Sequence, residues 1–283
     1  MLKFSFHNHT YYSDGENSPE EMSAAAGKAG YTHYAFTDHI YSEVFEDWTM
    51  DYRKYDEYVQ RIEKIKKDCE GAIKIYTGIE ADWYKNHATH FSRFEQLRPK
   101  LDFVVGAVHV LMPCNDIYLI DGSAAEYELC LHNGYAGDAD AMAADYYETY
   151  LQMIEGLKPD LLAHVDIMRK NNLDGVYYDN NAPFIRQYRK QIAEAIKAYD
   201  LVTEINGGGN YRYKNDVWYP SDAMFEELLK CEVKMTVGLD AHSVDMLTSY
   251  YDASLLKLAK AGFKVIYYYE DGEWLPIKLN ELI

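Results

Sequence analysis

Some seven times along this chain a short apolar run gives way to a stretch with helical spacing, and this alternation restricts the fold more than any other feature. The runs at 34–36, 73–76, 103–105, 161–163, 201–203, 234–237 and 264–267 read as buried strands, and Phe4 to Phe6 opens the chain in the same style. Residues 51–69, 182–199, 221–230 and 252–261 have helical spacing. Ser18-Pro19-Glu20-Glu21 supplies an N-cap, a proline at the first helical position and a glutamate at the third, so a helix is expected from there to Ala29, with Gly30 as its stop. Such alternation leaves two α/β architectures, a βα barrel or an open doubly wound sheet.

The positions of the reactive side chains decide between them. His7 and His9, Asp38 and His39, Glu80, His109, His164 and Asp166, and Asp240 and His242 each fall at the C-terminal end of an expected strand. A barrel gathers those ends into one mouth, so the barrel is the expected fold. One histidine at a strand end is commonly a satisfied core residue. Six such sites in register are not explained that way.

With 283 residues and no Gly/Ser/Pro linker or internal repeat, one domain spanning 1–283 is expected. Two segments interrupt the repeat, 83–97 and 111–145; they are read as inserted loops, the second as a lid. No apolar run approaches the roughly 20 residues that span a bilayer. The start has no charged segment, apolar core and small-residue cleavage site, so a cytoplasmic location is expected. Cys69, Cys114, Cys130 and Cys231 are far apart without a CxxC pair and are expected as free thiols. The formal charge of −18, from 28 basic and 46 acidic residues, disfavours nucleic acid as a partner and suits divalent cations. Nothing in the sequence fixes an oligomeric state.

Alternate residues of an extended strand point the same way, so His7 and His9 converge, as do Asp240 and His242. Imidazole is a ligand for zinc, manganese or iron, and a carboxylate such as Glu80 can bridge two cations. More than one metal is therefore expected. Arg169, close to His164, has the planar fork that grips phosphoryl oxygens. His87 and His90, three apart in the first insertion, lack a third ligand nearby.

On these motifs the chain resembles the polymerase and histidinol phosphatase (PHP) superfamily of metal-dependent phosphoesterases, from His7 to about His242. The resemblance implies a distorted seven-stranded, TIM-like (β/α)7 barrel with two or three divalent transition-metal ions. Carried over by residue, it implies His7, His9, Glu80 and Asp240 at one metal, Glu80, His109 and His164 at a second, and Asp14, His39 and His242 at a third. The stretches Gly106 to His109, Ala163 to Lys170 and Glu204 to Asn206 look most like the histidinol-phosphatase branch. That branch implies Arg169, with Arg212 or Lys214, on the substrate phosphate.

The expected reaction is hydrolysis of L-histidinol phosphate to L-histidinol and phosphate, a step of histidine biosynthesis, by a metal-activated hydroxide. His39, His242 or a metal-bound water would protonate the leaving group, and Asp38, Asp166 and Asn206 would orient ligands. The alternatives are another small phosphomonoester or nucleotide, a non-catalytic metal-binding domain, and a nuclease.

Overall fold

The computed structural model describes residues 2–42, 45, 47–84, 94–213 and 217–283, without the side chains of residues 212 and 213. Seven parallel strands form the central sheet: β1 (Phe4–Ser5), β2 (His33–Phe36), β3 (Lys74–Asp82), β4 (Phe103–Ala107), β7 (Leu161–Leu162), β8 (Val202–Asn206) and β9 (Lys234–Gly238), neighbours in that order. Short runs of Val, Ile, Leu and Phe buried on both faces give the parallel strands of such a sheet. The sheet closes on itself at the residues that follow its two end strands. His9 N donates to Ala241 O at 2.8 Å and Asp240 N to His7 O at 2.9 Å, so backbone at the expected metal ligands seals the barrel.

The helices follow the expected boundaries closely. Ser18 caps the helix Pro19–Lys28 in a reciprocal pair with Glu21, and Gly30 continues at φ +82°, a conformation glycine adopts freely. Tyr55–Asp68, Pro183–Ala198, Asp222–Lys230 and Tyr251–Ala261 also surround the barrel.

Two expectations need correction. The run at 264–267 is not a barrel strand: it begins β10 (Val265–Glu270), which pairs antiparallel with β11 (Glu273–Lys278) in a separate hairpin. Tyr269 and Trp274 from this hairpin pack on Phe6 and Phe103 at centroid distances of 5.3–6.4 Å, so its aromatic residues extend the barrel core. The place of an end strand belongs instead to Phe4–Ser5, within the strand-like run that opens the chain.

The segment 111–145 is not a structureless loop. It contains the small hairpin β5 (Val110–Leu111) and β6 (Tyr118–Leu119), a capped helix Ala124–Leu129, and the start of the helix Ala139–Leu157 that crosses from β4 to β7. That helix buries Tyr146, Tyr147 and Tyr150, and tyrosine hides an apolar face from a hydropathy count. Tyr34, Tyr58 and Tyr127 are likewise fully buried, which gives the many tyrosines a role in the core. Much of 83–97 lies outside the described residues, as do His87 and His90. No described helix is long and apolar enough to cross a membrane.

Candidate metal centre

The chain leaves β1 into Phe6-His7-Asn8-His9, and Asn8 holds that exit in place. Its backbone N–H donates to Thr37 Oγ1 at 2.9 Å, and its amide donates to the carbonyls of Ser5 and Ala35. With Asn8 turned into the wall, His7 and His9 share the opposite side, their rings 5.1 Å apart. Glu80 and Asp82 lie two apart on β3 and point inward together. His39, His109, His164, Asp240 and His242 arrive from the ends of β2, β4, β7 and β9. Asp14 comes from the turn after His9, which Asp38 organises by accepting from Thr10 N, Ser13 N and Ser13 Oγ at 2.8–3.2 Å. Gly15 is required there, since a Cβ would fall 2.7 Å from the Thr10 backbone.

All nine expected metal ligands come together. Ligand atoms lying within 4.8 Å of one another form four groups among the described residues. They are His7, His9 and Asp240; His7, Glu80 and His164; His9, Asp14, His39 and His242; and His39, Asp82 and His109. The nearest pairs have the spacing of atoms that share an ion. Two ligands at about 2.0–2.2 Å from one cation lie about 2.8–3.6 Å apart at octahedral to tetrahedral angles. Here His7 Nε2 lies 3.1 Å from Glu80 Oε2, His164 Nε2 3.1 Å from Glu80 Oε1, and His109 Nε2 3.2 Å from His164 Nε2. His9 Nε2, buried without a hydrogen bond, is 3.4 Å from both Glu80 Oε2 and Asp240 Oδ1.

The tautomers point the same way. His242 Nδ1 must donate to the Asp240 carbonyl at 2.9 Å, which leaves Nε2 of the neutral ring with a lone pair facing an Asp14 oxygen at 3.0 Å. His7 repeats this arrangement. Its Nδ1 donates to the Glu204 carboxylate, and its Nε2 meets Glu80. His109 gives Nδ1 to Asp82 and turns Nε2 toward His164. An acceptor facing an acceptor is repulsive unless a proton or a cation lies between them, so this donor set fits bound cations.

Without cations the cluster balances itself with protons. Burial would lower the imidazoles, but Glu204 and Glu80 raise His7 well above its ordinary value. Against the same penalty, Glu80, Asp82 and Asp14 raise His39 to about 10, and Asp82 leads in raising His109 to about 9. His9 goes the other way, to about 3, through burial and the neighbouring imidazoles of His242 and His39. Burial alone would raise Glu80, yet His7, His39 and His109 hold it well below the carboxylate range.

Asp82 and Glu204 were missed as site residues in the sequence, although each stands in a readable period of two, Glu80 to Asp82 and Glu204 to Asn206. Gly238 makes room for Glu204, because a Cβ there would sit 1.7 Å from its Oε2. Asn206 donates to Glu204 at 2.7 Å, in keeping with its expected orienting role. Asp166, at φ +67°, instead accepts from Ser221 N and lies 3.6 Å from Arg169 Nε.

Asp14, His39, Glu80, His109, His164, Asp240 and His242 line a pocket of about 170 Å³ with Trp48, Leu119, Asp121, Gly122 and Ile167. The 111–145 segment therefore contributes to its wall through Leu119, Asp121 and Gly122. Arg169 is not in this lining; its guanidinium donates to the Trp218 carbonyl at 3.4 Å and borders a neighbouring cleft. Arg212 lies in the short helix Gly208–Tyr213 after β8 with its side chain outside the described atoms, and Lys214 lies outside the described residues.

A family model described as PHP domain matches residues 5–208. Among curated proteins, a histidinol-phosphatase of Bacillus subtilis is 22% identical over 269 residues, covering 90% of this chain and 99% of that protein. The crystal structure of HisK from Listeria monocytogenes superposes with a TM-score of 0.78 at 20% identity, over 89% of this chain and 99% of that one. The histidinol phosphate phosphatase of Lactococcus lactis, complexed with zinc, L-histidinol and phosphate, superposes with a TM-score of 0.65 at 18% identity, over 97% and 99%.

Proposed function

Because the chain belongs to the PHP domain family and lies with the histidinol-phosphatases within it, we propose that it is a cytoplasmic metal-dependent phosphomonoesterase that hydrolyses L-histidinol phosphate. The observation that carries this reading is Glu80. Its two buried oxygens face different imidazoles, Oε2 toward His7, His9 and His39 and Oε1 toward His164 and His109. A carboxylate so placed would serve two cations, one through each oxygen, and Asp14 with His39 and His242 would offer a third position.

Zinc, manganese or iron held there would supply an activated water for attack at phosphorus and neutralise the phosphoryl oxygens. The chain's residues do the positioning. Glu204 and Asp82 fix the tautomers of His7 and His109 so that each presents Nε2 to the centre. His39 and His242 line the pocket, and one of them would deliver the leaving-group proton if the third position held no cation. Arg169, with Arg212 or Lys214, would close on the phosphate from the β7 and β8 loops.

The test is a substrate panel on protein of measured metal content: L-histidinol phosphate beside sugar phosphates, nucleotides and short oligonucleotides. A kcat/KM for histidinol phosphate at least about 100-fold above the rest, falling about tenfold or more in Arg169→Ala, is expected for a lost charge-assisted bidentate contact. Equal turnover across the phosphomonoesters would overturn the substrate assignment while keeping the enzyme class.

A further inference from the structure

A second cleft, of roughly 470 Å³, lies beside the metal pocket and shares none of its lining residues. Its most unusual member is Arg189, on the helix Pro183–Ala198, which is only 4% exposed. No hydrogen bond or ion pair of its guanidinium is present among the described residues, although it borders open space in the cleft. A buried lysine can shed its proton, but arginine stays charged, so a guanidinium in this position calls for a polar occupant. Arg169 lines the same cleft, its Nε 3.6 Å from the buried Asp166 carboxylate.

The surroundings favour an anion. Ser221, Asp222 and Ala223 on the cleft wall form the N-terminus of the helix Asp222–Lys230, and Asn181 lies just before the helix Pro183–Ala198. Both helices therefore direct the positive ends of their dipoles to this region. Of the nearby carboxylates, Asp166 is buried, attracts both Arg169 and Arg189 and accepts from Ser221 N at 3.1 Å, Asp222 is paired with Lys257 at 2.6 Å, and Asp179 accepts from Asn181 N at 2.8 Å. Asp174 is exposed at the rim.

We propose that this cleft is an oxyanion-binding site, separate from the metal pocket, in which Arg189 grips a phosphate or carboxylate group of a small molecule. The probe is inorganic phosphate, titrated calorimetrically into the metal-loaded full-length protein at constant ionic strength, with acetate and citrate as carboxylate arms. Wild type should give two classes of phosphate site. Arg189→Met should lose one class and keep the other, and only the surviving class should respond to a chelator.

Asn181 is exposed, so Asn181→Asp and Asn181→Lys test the same site without touching the core. The first should weaken the chelator-insensitive class about threefold or more, and the second should tighten it, as expected for a charge placed within a Debye length of the anion. A cleft filled only with water would give one class of site in wild type, unchanged by all three substitutions, and that result overturns the proposal. If the metal pocket itself does not bind phosphate, the class sensitive to Arg189 remains while the chelator-sensitive one is missing, so the two failures are distinguishable.

Discussion

Nδ1 of His7 lies 3.0 Å from one oxygen of Glu204 and 3.1 Å from the other, and both side chains are completely buried. This contact fixes which nitrogen of His7 faces the metal centre. Glu204→Gln preserves the volume but weakens the acceptor that holds the tautomer. Metal affinity should fall about 10–100-fold, with a parallel loss of activity at limiting metal that excess zinc restores. Competition with a fluorescent chelator measures this directly, and an unchanged affinity would remove Glu204 from the account.

Asp82 makes the equivalent contact with His109 and also lies 3.3 Å from His39. Asp82→Asn should therefore weaken metal binding within the same range. Its effect should add to that of Glu204→Gln, because the two carboxylates support different imidazoles. Strong non-additivity in the double variant would mean that they act through one shared ion.

Gly238→Ala should be disruptive for a steric reason. The added methyl would lie 1.7 Å from Glu204 Oε2, and overpacking of this kind costs about 1–3 kcal/mol. Urea unfolding should show that loss together with reduced metal content. Paired with Glu204→Ala, which clears the space, the stability cost should shrink.

Metal binding should release protons. His39 and His109 titrate at about 10 and about 9 in the metal-free protein and His7 also lies well above its ordinary value, against 6.5 for unperturbed imidazole. At pH 7.5 His39 and His109 are protonated, and a cation must displace those protons to reach the ring nitrogens. Zinc titrated in buffers of different ionisation enthalpy should show protons leaving, and affinity should rise with pH. For the metal-free fold the sign is opposite. These raised values stabilise it fully below pH 6.5, and the contribution is lost as pH climbs through 9 to 10. A binding enthalpy independent of buffer would contradict this.

The site was largely legible in the sequence because its chemistry falls at the ends of strands, where Glu80, His109 and His164 are marked by residue type alone. The supporting groups were less so. Asp82 and Glu204 look like ordinary acidic residues until their burial beside histidine is seen. Tertiary context also decided the fate of 264–267, whose apolar pattern suits a barrel strand as well as a covering hairpin. Pattern alone does not say that the closing partner of β9 is the backbone after Phe4–Ser5. The helix Ala139–Leu157 was hidden because buried tyrosines carry its apolar face.

The most direct test of the central claim is phosphate release from L-histidinol phosphate by protein that has been stripped of metal, assayed, and then titrated with zinc or manganese. The account predicts no activity in the stripped protein, recovery that saturates at two to three equivalents, and no recovery in His9→Ala despite a native fold. Full turnover by protein holding less than about a tenth of an equivalent of metal would contradict a mechanism that requires a cation at phosphorus.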